Sequence, residues 1–336
     1  MSIHKTPLKL DYNTTNRCNF RCVHCGYDSG ITEMDELSIS ELEKILMDSK
    51  DLGCKSLDIA GGEPLVREDL DEIIKLTKSL DYRVKVNTNG SLLTRKKLSY
   101  LKNLGLDAIA VSLDGSTYDV YSRIRKVNEK TYRRVLQTID DSVDLGFYTK
   151  VNTVVFNSNL NDLPAIVELC VEKGVKENRM CHFSPIGRGY TANELSVEPV
   201  RWLNFVRKML MEYDSEIKLF VGIPVIEKGS NKSEIDCIIK KDPNNLIISP
   251  DGNVYPCAIL ASYQKPVANL RKTSMKEVWN NQRLWKDYYR KVYSEVYQKN
   301  NGYCVDFSNF NLKEYESKKY KFVCPLRKFR VDELCL

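Results

Sequence analysis

Three cysteines fall within eight residues, Cys18-Asn19-Phe20-Arg21-Cys22-Val23-His24-Cys25, in the spacing C-x3-C-x2-C. A tetrahedral zinc site takes four protein ligands, and an iron–sulfur cluster usually takes four thiolates. Three thiolates on one loop therefore point to a [4Fe–4S] cluster with one iron left for a ligand that is not protein. The rival is a zinc site completed by His24. It suffers because His24 directly precedes Cys25 and could hardly share one ion with both neighbours. Eleven cysteines in a chain without an export signal favour metal binding over disulfides and predict a reducing cytoplasm.

A loop of this kind needs a scaffold, and the flanking pattern supplies one. Alternation over residues 8–13 predicts a strand that ends just before the cysteines. Ser38-Ile39-Ser40-Glu41 is a capping box, so a helix follows to about residue 52. Strands are then predicted over 56–60, 83–87, 108–112, 149–155 and 179–184. Helices are predicted near 68–80, 94–103, 130–145 and 162–173. This alternation, repeated six times, predicts an α/β fold with a parallel sheet closed or partly closed as a (β/α)6 barrel. Gly61-Gly62-Glu63-Pro64, Thr88-Asn89-Gly90, Ser112-Leu113-Asp114-Gly115 and Pro185-Ile186-Gly187-Arg188-Gly189 each follow a predicted strand, as the cysteine loop does. Each reads singly as a turn. Together they fall on the face of a parallel barrel where active sites are built.

Composition sets the outer bounds. The chain has 336 residues, 42% of them hydrophobic and 29% charged, with 51 Lys and Arg against 45 Asp and Glu, which suits a soluble globular protein of one or two domains. No basic run alternates with aromatic residues as a nucleic-acid groove requires. No eighteen apolar residues run together, so no membrane span is expected.

From residue 8 to about 189 the pattern resembles the radical S-adenosylmethionine (SAM) superfamily. Cys18, Cys22 and Cys25 match its cluster motif, and Gly61-Gly62-Glu63-Pro64 matches the loop that binds the methionine amino group of SAM. The resemblance implies cofactor contacts from Gly61, Gly62, Glu63, Thr88, Asn89, Ser112, Asp114, Arg123 and Arg188. Arg123 ends a D-x-x-x-R stretch that starts at Asp119. It also implies reductive cleavage of SAM to a 5′-deoxyadenosyl radical that takes hydrogen from a substrate carbon. An external one-electron reductant of the flavodoxin or ferredoxin kind would feed the cluster.

The C-terminal third resembles the SPASM and Twitch extensions of that superfamily, which carry auxiliary iron–sulfur clusters. Residues 246–257 read as a hairpin turning at Asp251-Gly252, and Cys237, Gly252 and Cys257 give C-x14-G-x4-C. The close group C-x2-C-x5-C-x3-C of a full SPASM domain is missing, so one auxiliary [4Fe–4S] cluster is expected, on Cys237, Cys257, Cys304 and Cys324. Cys335 is the alternative fourth ligand, and a four-cysteine zinc site is the alternative metal. The expected division is a barrel over 1–190, a connector over 191–236 and a small α+β Twitch/SPASM-like domain over 237–336. Ala258 stands where sulfatase-maturing relatives have an aspartate base, which argues against their route. Cys181, at the end of the sixth predicted strand, is either a hydrogen donor to a substrate radical or part of the core.

The substrate is expected to be a ribosomally made peptide, modified by epimerisation, crosslinking or oxidation. The alternative is dehydrogenation or rearrangement of a carbohydrate-like small molecule. No leader-binding segment is seen before the barrel. A non-catalytic iron–sulfur or zinc protein would need neither Gly-Gly-Glu-Pro nor the strand-end polar residues.

Overall fold

The alternating residues Lys-Leu-Asp-Tyr-Asn form β1, Lys9–Asn13, and put Leu10 and Tyr12 fully under the helices. The computed structural model describes residues 9–30, 34–213, 217–222, 225–227, 245–263, 265–292, 320–322 and 328–330. Ser38 starts α1, Ile39–Asp51, by accepting the Glu41 N–H, while the Glu41 carboxylate accepts the Ser38 N–H. Such a reciprocal cap satisfies two otherwise unpaired donors. The chain then alternates through β2 Ser56–Ala60, α2 Leu70–Ser79, β3 Arg83–Thr88, α3 Arg95–Asn103 and β4 Ala108–Ser112. Two helices follow, α4 Tyr118–Arg125 and α5 Glu129–Asp144, before β5 Tyr148–Val155, α6 Leu163–Glu172 and β6 Glu177–His182.

α4 was not expected from the sequence. Its start is capped by Thr117 and that of α5 by Asn128, and Lys126 between them takes a left-handed φ of 56° that ends the first helix. Past β6, α7 Pro199–Tyr213 buries Trp202, whose indole N–H donates to the carbonyl of Gly222 at 2.9 Å. Gly222 ends β7, Lys218–Gly222. A further short strand, β8, spans Val225–Glu227.

β1 to β7 run parallel in chain order, and β9, Asn245–Ile248, lies parallel to β1 on its other side. β10, Asn253–Tyr255, returns antiparallel to β9 as the expected hairpin and is followed by β11, Ala268–Asn269. β13, Lys328–Arg330, closes the far edge against β7, and β12, Tyr320–Phe322, pairs with β8 in a separate ribbon. One sheet thus draws strands from both sides of the expected divisions at 190 and 236. Its helix-facing side is apolar, with Leu57, Val86, Ile109, Val111 and Val151 almost wholly buried. The opposite side, the barrel lumen, carries the charged residues of β1, β2, β3, β5 and β6, while Thr149, Thr153 and Asn178 are buried on the helix side. Among the described residues no helix is long and apolar enough to cross a membrane.

Candidate active site

The site is assembled at the C-terminal ends of β1 to β6, chiefly by main chain. Gly62 N–H donates to the Thr15 carbonyl at 2.7 Å and Glu63 N–H to the Arg17 carbonyl at 2.9 Å, so the second strand's loop lies directly on the segment entering the cysteine loop. That approach is why glycine stands there. A Cβ on Gly61, at φ 139°, would sit 2.5 Å from the Thr15 carbonyl oxygen, and one on Gly62 would collide with that of Arg17.

Glu63 is fully buried and accepts three hydrogen bonds: from the Thr88 hydroxyl at 2.7 Å, the Asn89 N–H at 2.7 Å and the Leu65 N–H at 3.2 Å. Burial pushes its carboxyl up to about 7, against the pull of those donors toward ionisation. Asn89 donates in turn to Asn19 of the cysteine loop at 2.8 Å, and Asn19 donates to Ser91 at 2.8 Å. The third strand's turn therefore holds both the acid and the loop.

Each sulfur of the loop accepts an N–H. Cys18 takes that of Phe20 at 3.4 Å, Cys25 that of Ser29 at 3.3 Å, and Cys22 that of the Arg125 guanidinium at 3.8 Å. Arg125 is buried and held by Asp114, whose carboxylate receives the Arg125 Nε at 2.5 Å and the Val154 N–H at 2.8 Å. Burial pushes the Cys18 thiol up to about 11 and the Cys22 thiol up as well, so these sulfurs are poor free thiolates. A bound metal supplies the charge that such sulfurs need, and N–H donors to them suit cluster ligands. A [4Fe–4S] cluster therefore fits this loop.

A zinc site completed by His24 does not fit. The His24 Nε2 lies 3.9 Å from Asp114, and the ring meets Phe156 edge-on at 5.2 Å. Burial, with Arg125 nearby, pushes its pKa down to about 3 and keeps the ring neutral.

The remaining expected residues are distributed unevenly. Arg188 faces the cysteine loop rather than open space: it donates to the carbonyls of Cys22 at 2.8 Å and Ser29 at 2.5 Å and pairs with Asp28 at 2.8 Å. Ser112 is half-buried at the end of β4, beside Asn152 of β5 in register. Arg123, expected to contact the cofactor, lies exposed on α4, and Arg125, two residues on, is the arginine that turns inward beside Tyr121 and Ile124. Helical spacing carries the signal, since Tyr121, Ile124 and Arg125 share one face. Cys181 is half-buried on the lumen side of β6, the side shared with Glu177 and Arg179. Cys257 caps the short helix Ala258–Ser262, its sulfur accepting the Leu260 N–H at 3.4 Å. Ser262 of that helix packs against Gly26, so Cys257 stands near the cysteine loop. Cys237, Cys304, Cys324 and Cys335 lie outside the described residues.

Below these loops the lumen holds a charged set that the sequence reading passed over. Asp58 pairs with Lys85 at 2.5 Å and with Lys9, which also meets Asp11 at 2.7 Å. Glu177 pairs with Lys150 at 2.9 Å and with Arg179. Burial pulls Lys85 down to about 8, while Asp58, also buried, is held below its ordinary value by Lys85 and Lys9.

Known proteins bear on this arrangement. A family model described as the radical SAM superfamily matches residues 12–170, and one described as an iron–sulfur cluster-binding domain, SPASM, matches 237–306. The chain is 26% identical over 305 residues to an AdoMet-dependent heme synthase of Methanosarcina barkeri, covering 85% of this chain and 86% of that protein. It is 28% identical over 272 residues to a probable GTP 3',8-cyclase of Methanothermobacter thermautotrophicus, covering 76% and 86%. Among solved structures, Streptococcus suis SuiB bound to its precursor peptide SuiA superposes with a TM-score of 0.67 at 17% identity, covering 99% of this chain and 76% of that one. The anSMEcpe structure with AdoMet and the Cp18Cys peptide gives 0.64 at 17%, covering 89% and 86%. These two likenesses speak for the fold.

Proposed function

For a chain that belongs to the radical SAM superfamily and carries a SPASM-type iron–sulfur domain after its barrel, we propose that Cys18, Cys22 and Cys25 hold the SAM-cleaving [4Fe–4S] cluster and that hydrogen is taken from a substrate carbon in the lumen below. The observation that carries this reading is the cysteine loop itself: three sulfurs, each with an N–H donor, lie on a loop bonded through main chain to Gly62 and Glu63. When bound, the cluster and SAM supply a 5′-deoxyadenosyl radical. The chain's own residues position and shield. Glu63, held by Thr88 and Asn89, presents an acid suited to the SAM ammonium, and Arg125 places a cation against the Cys22 sulfur. Gly61 and Gly62 let their loop close on the main chain of Thr15 and Arg17, and Arg188 fixes the cysteine loop from the β6 side. Cys257, with Cys237, Cys304 and Cys324, or Cys335 in place of one of them, would hold one auxiliary cluster. A flavodoxin- or ferredoxin-like donor supplies electrons.

Peptide modification is the leading substrate reading. It is supported by the SuiB fold extending over nearly the whole chain, that protein having been seen with a precursor peptide. A second reading, a small molecule, draws on the higher identity to proteins named for heme and GTP chemistry. Cys181, on the lumen side of β6, is the proposed hydrogen donor.

The test is anaerobic reconstitution followed by incubation with SAM and a strong reductant. About eight irons per chain are expected, from two [4Fe–4S] clusters, with 5′-deoxyadenosine released. Changing Cys18, Cys22 and Cys25 together to alanine should abolish that product and leave about half the iron. Zinc uptake with intact SAM would sink the reading. Once a substrate is found, turnover in deuterium oxide tests Cys181: product that keeps its solvent deuterium in Cys181→Ala removes the donor role.

A further inference from the structure

We propose that Arg179, at the head of the charged lumen set, anchors a carboxylate of the substrate, so that this enzyme selects acidic substrates. The inference rests on the radical SAM reading above and names the substrate class for that site. Its basis is an imbalance of partners. Among the described residues, Lys9, Lys85, Lys150 and Arg179 pair only with Asp11, Asp58 and Glu177. Each acid already has a cation: one oxygen of Glu177 goes to Lys150 and the other to Arg179, and one oxygen of Asp58 serves both Lys9 and Lys85. Arg179 spends only its Nε on Glu177, and its two terminal amino groups have no partner among the described residues. The guanidinium carbon lies 5.6 Å from the centroid of the Phe220 ring, within cation–π reach.

Position agrees with this role. Arg179 follows Glu177 along β6, toward the end that carries the cysteine loop, and its register neighbours are Asn152 and Phe220. Cys181 comes next on the same side, about 7 Å further toward the mouth at the ordinary strand rise. A carboxylate held by the fork sets the substrate's neighbouring carbons at the level of Cys181, below the SAM-binding loops. A self-contained ion network would place its acids and cations in balance and would have no fork left over. An arginine fork matches a carboxylate in two parallel hydrogen bonds.

The test uses the reconstituted holoenzyme with SAM bound, titrated by equilibrium dialysis. One probe pair is glutarate against the neutral diamide glutaramide, and the other is a tripeptide with central glutamate against its glutamine counterpart. Each acid should bind at least about tenfold more tightly than its amide, and Arg179→Met should remove about 10- to 100-fold of that affinity. Arg179→Lys, which keeps charge without the fork, should recover part of it and covers the case in which the methionine variant fails to fold. Tighter binding of the acidic peptide than of glutarate supports the proposal with a peptide source, and the reverse supports it with a small acid. Equal binding of acid and amide overturns the proposal, as does acid binding untouched in both variants. Competition between glutarate and SAM also overturns it, because the fork would then belong to the cofactor. SAM cleavage in the wild type reports separately on the proposed function, so the two readings fail by different signs.

Discussion

Where the second strand's loop meets the segment entering the cysteine loop, contacts run from main chain to main chain, Gly62 to Thr15 and Glu63 to Arg17, and Gly61 and Gly62 leave no room for a Cβ. A few residues deeper in the lumen, contacts run between charged side chains, Lys85 to Asp58 and Lys150 to Glu177. The two regions hold their geometry by different means. Main-chain contacts fix a cofactor shared by many enzymes and tolerate little change of residue. Side-chain pairs can be exchanged one at a time, which suits a region that must match one substrate.

The sharpest way to break that comparison is Gly62→Ala. Its methyl group collides with the Arg17 carbonyl oxygen and displaces the segment entering Cys18. SAM cleavage should fall by about 100-fold or more, as misplacing reacting groups by about 1 Å does, with iron lost from the loop. Near-normal cleavage and iron content would show that the loop is not held by main chain at all.

Asp114 and Arg125 test the border between the regions, since here a buried ion pair serves the cysteine loop. Asp114→Asn leaves the Arg125 charge without its partner and should cost about 3–5 kcal/mol in urea unfolding. The double variant Asp114→Asn, Arg125→Met should regain much of that loss. A single variant as stable as the wild type would mean that the pair is relaxed by solvent, like a surface bridge.

Glu63 gives a smaller effect that depends on pH. Its carboxyl rises from an ordinary 4.5 to about 7 because it is buried. A raised pKa gives stability that is complete below pH 4.5 and is lost as pH climbs to about 7. Between those limits the SAM-free protein should lose up to about 3 kcal/mol that Glu63→Gln does not lose. Parallel pH profiles for the two proteins would show that the acid is ionised throughout.

The mouth was legible in the sequence because its rules are local. Cysteine spacing, paired glycines and a capping box are written in consecutive residues, and β2, β4 and α1 fall where those signals put them. Arg125 was missed because a linear D-x-x-x-R spacing was followed where the buried face of α4 decides. The lumen was missed for a different reason. Ser-Leu-Asp-Ile-Ala, Arg-Val-Lys-Val-Asn and Glu-Asn-Arg-Met-Cys all alternate, whereas parallel strands buried on both faces usually read as continuous apolar runs. That departure signals a polar interior, but only once the strands are known to be parallel. Which charges meet depends on register, as with Asp58 beside Lys85, and register is set by the whole sheet.

The pairing of β9 with β1 has a consequence for synthesis on the ribosome. Asn245, which bonds Asp11, leaves the ribosome 234 residues after it. Throughout that interval β1 can pair with β2, but its other edge stays open to any passing strand. Lys9 and Asp11 put charge on that waiting edge and discourage chance partners. A nascent chain stalled before residue 245 would expose it for longest, so chaperone demand should peak late in translation, when most of the barrel is already in place.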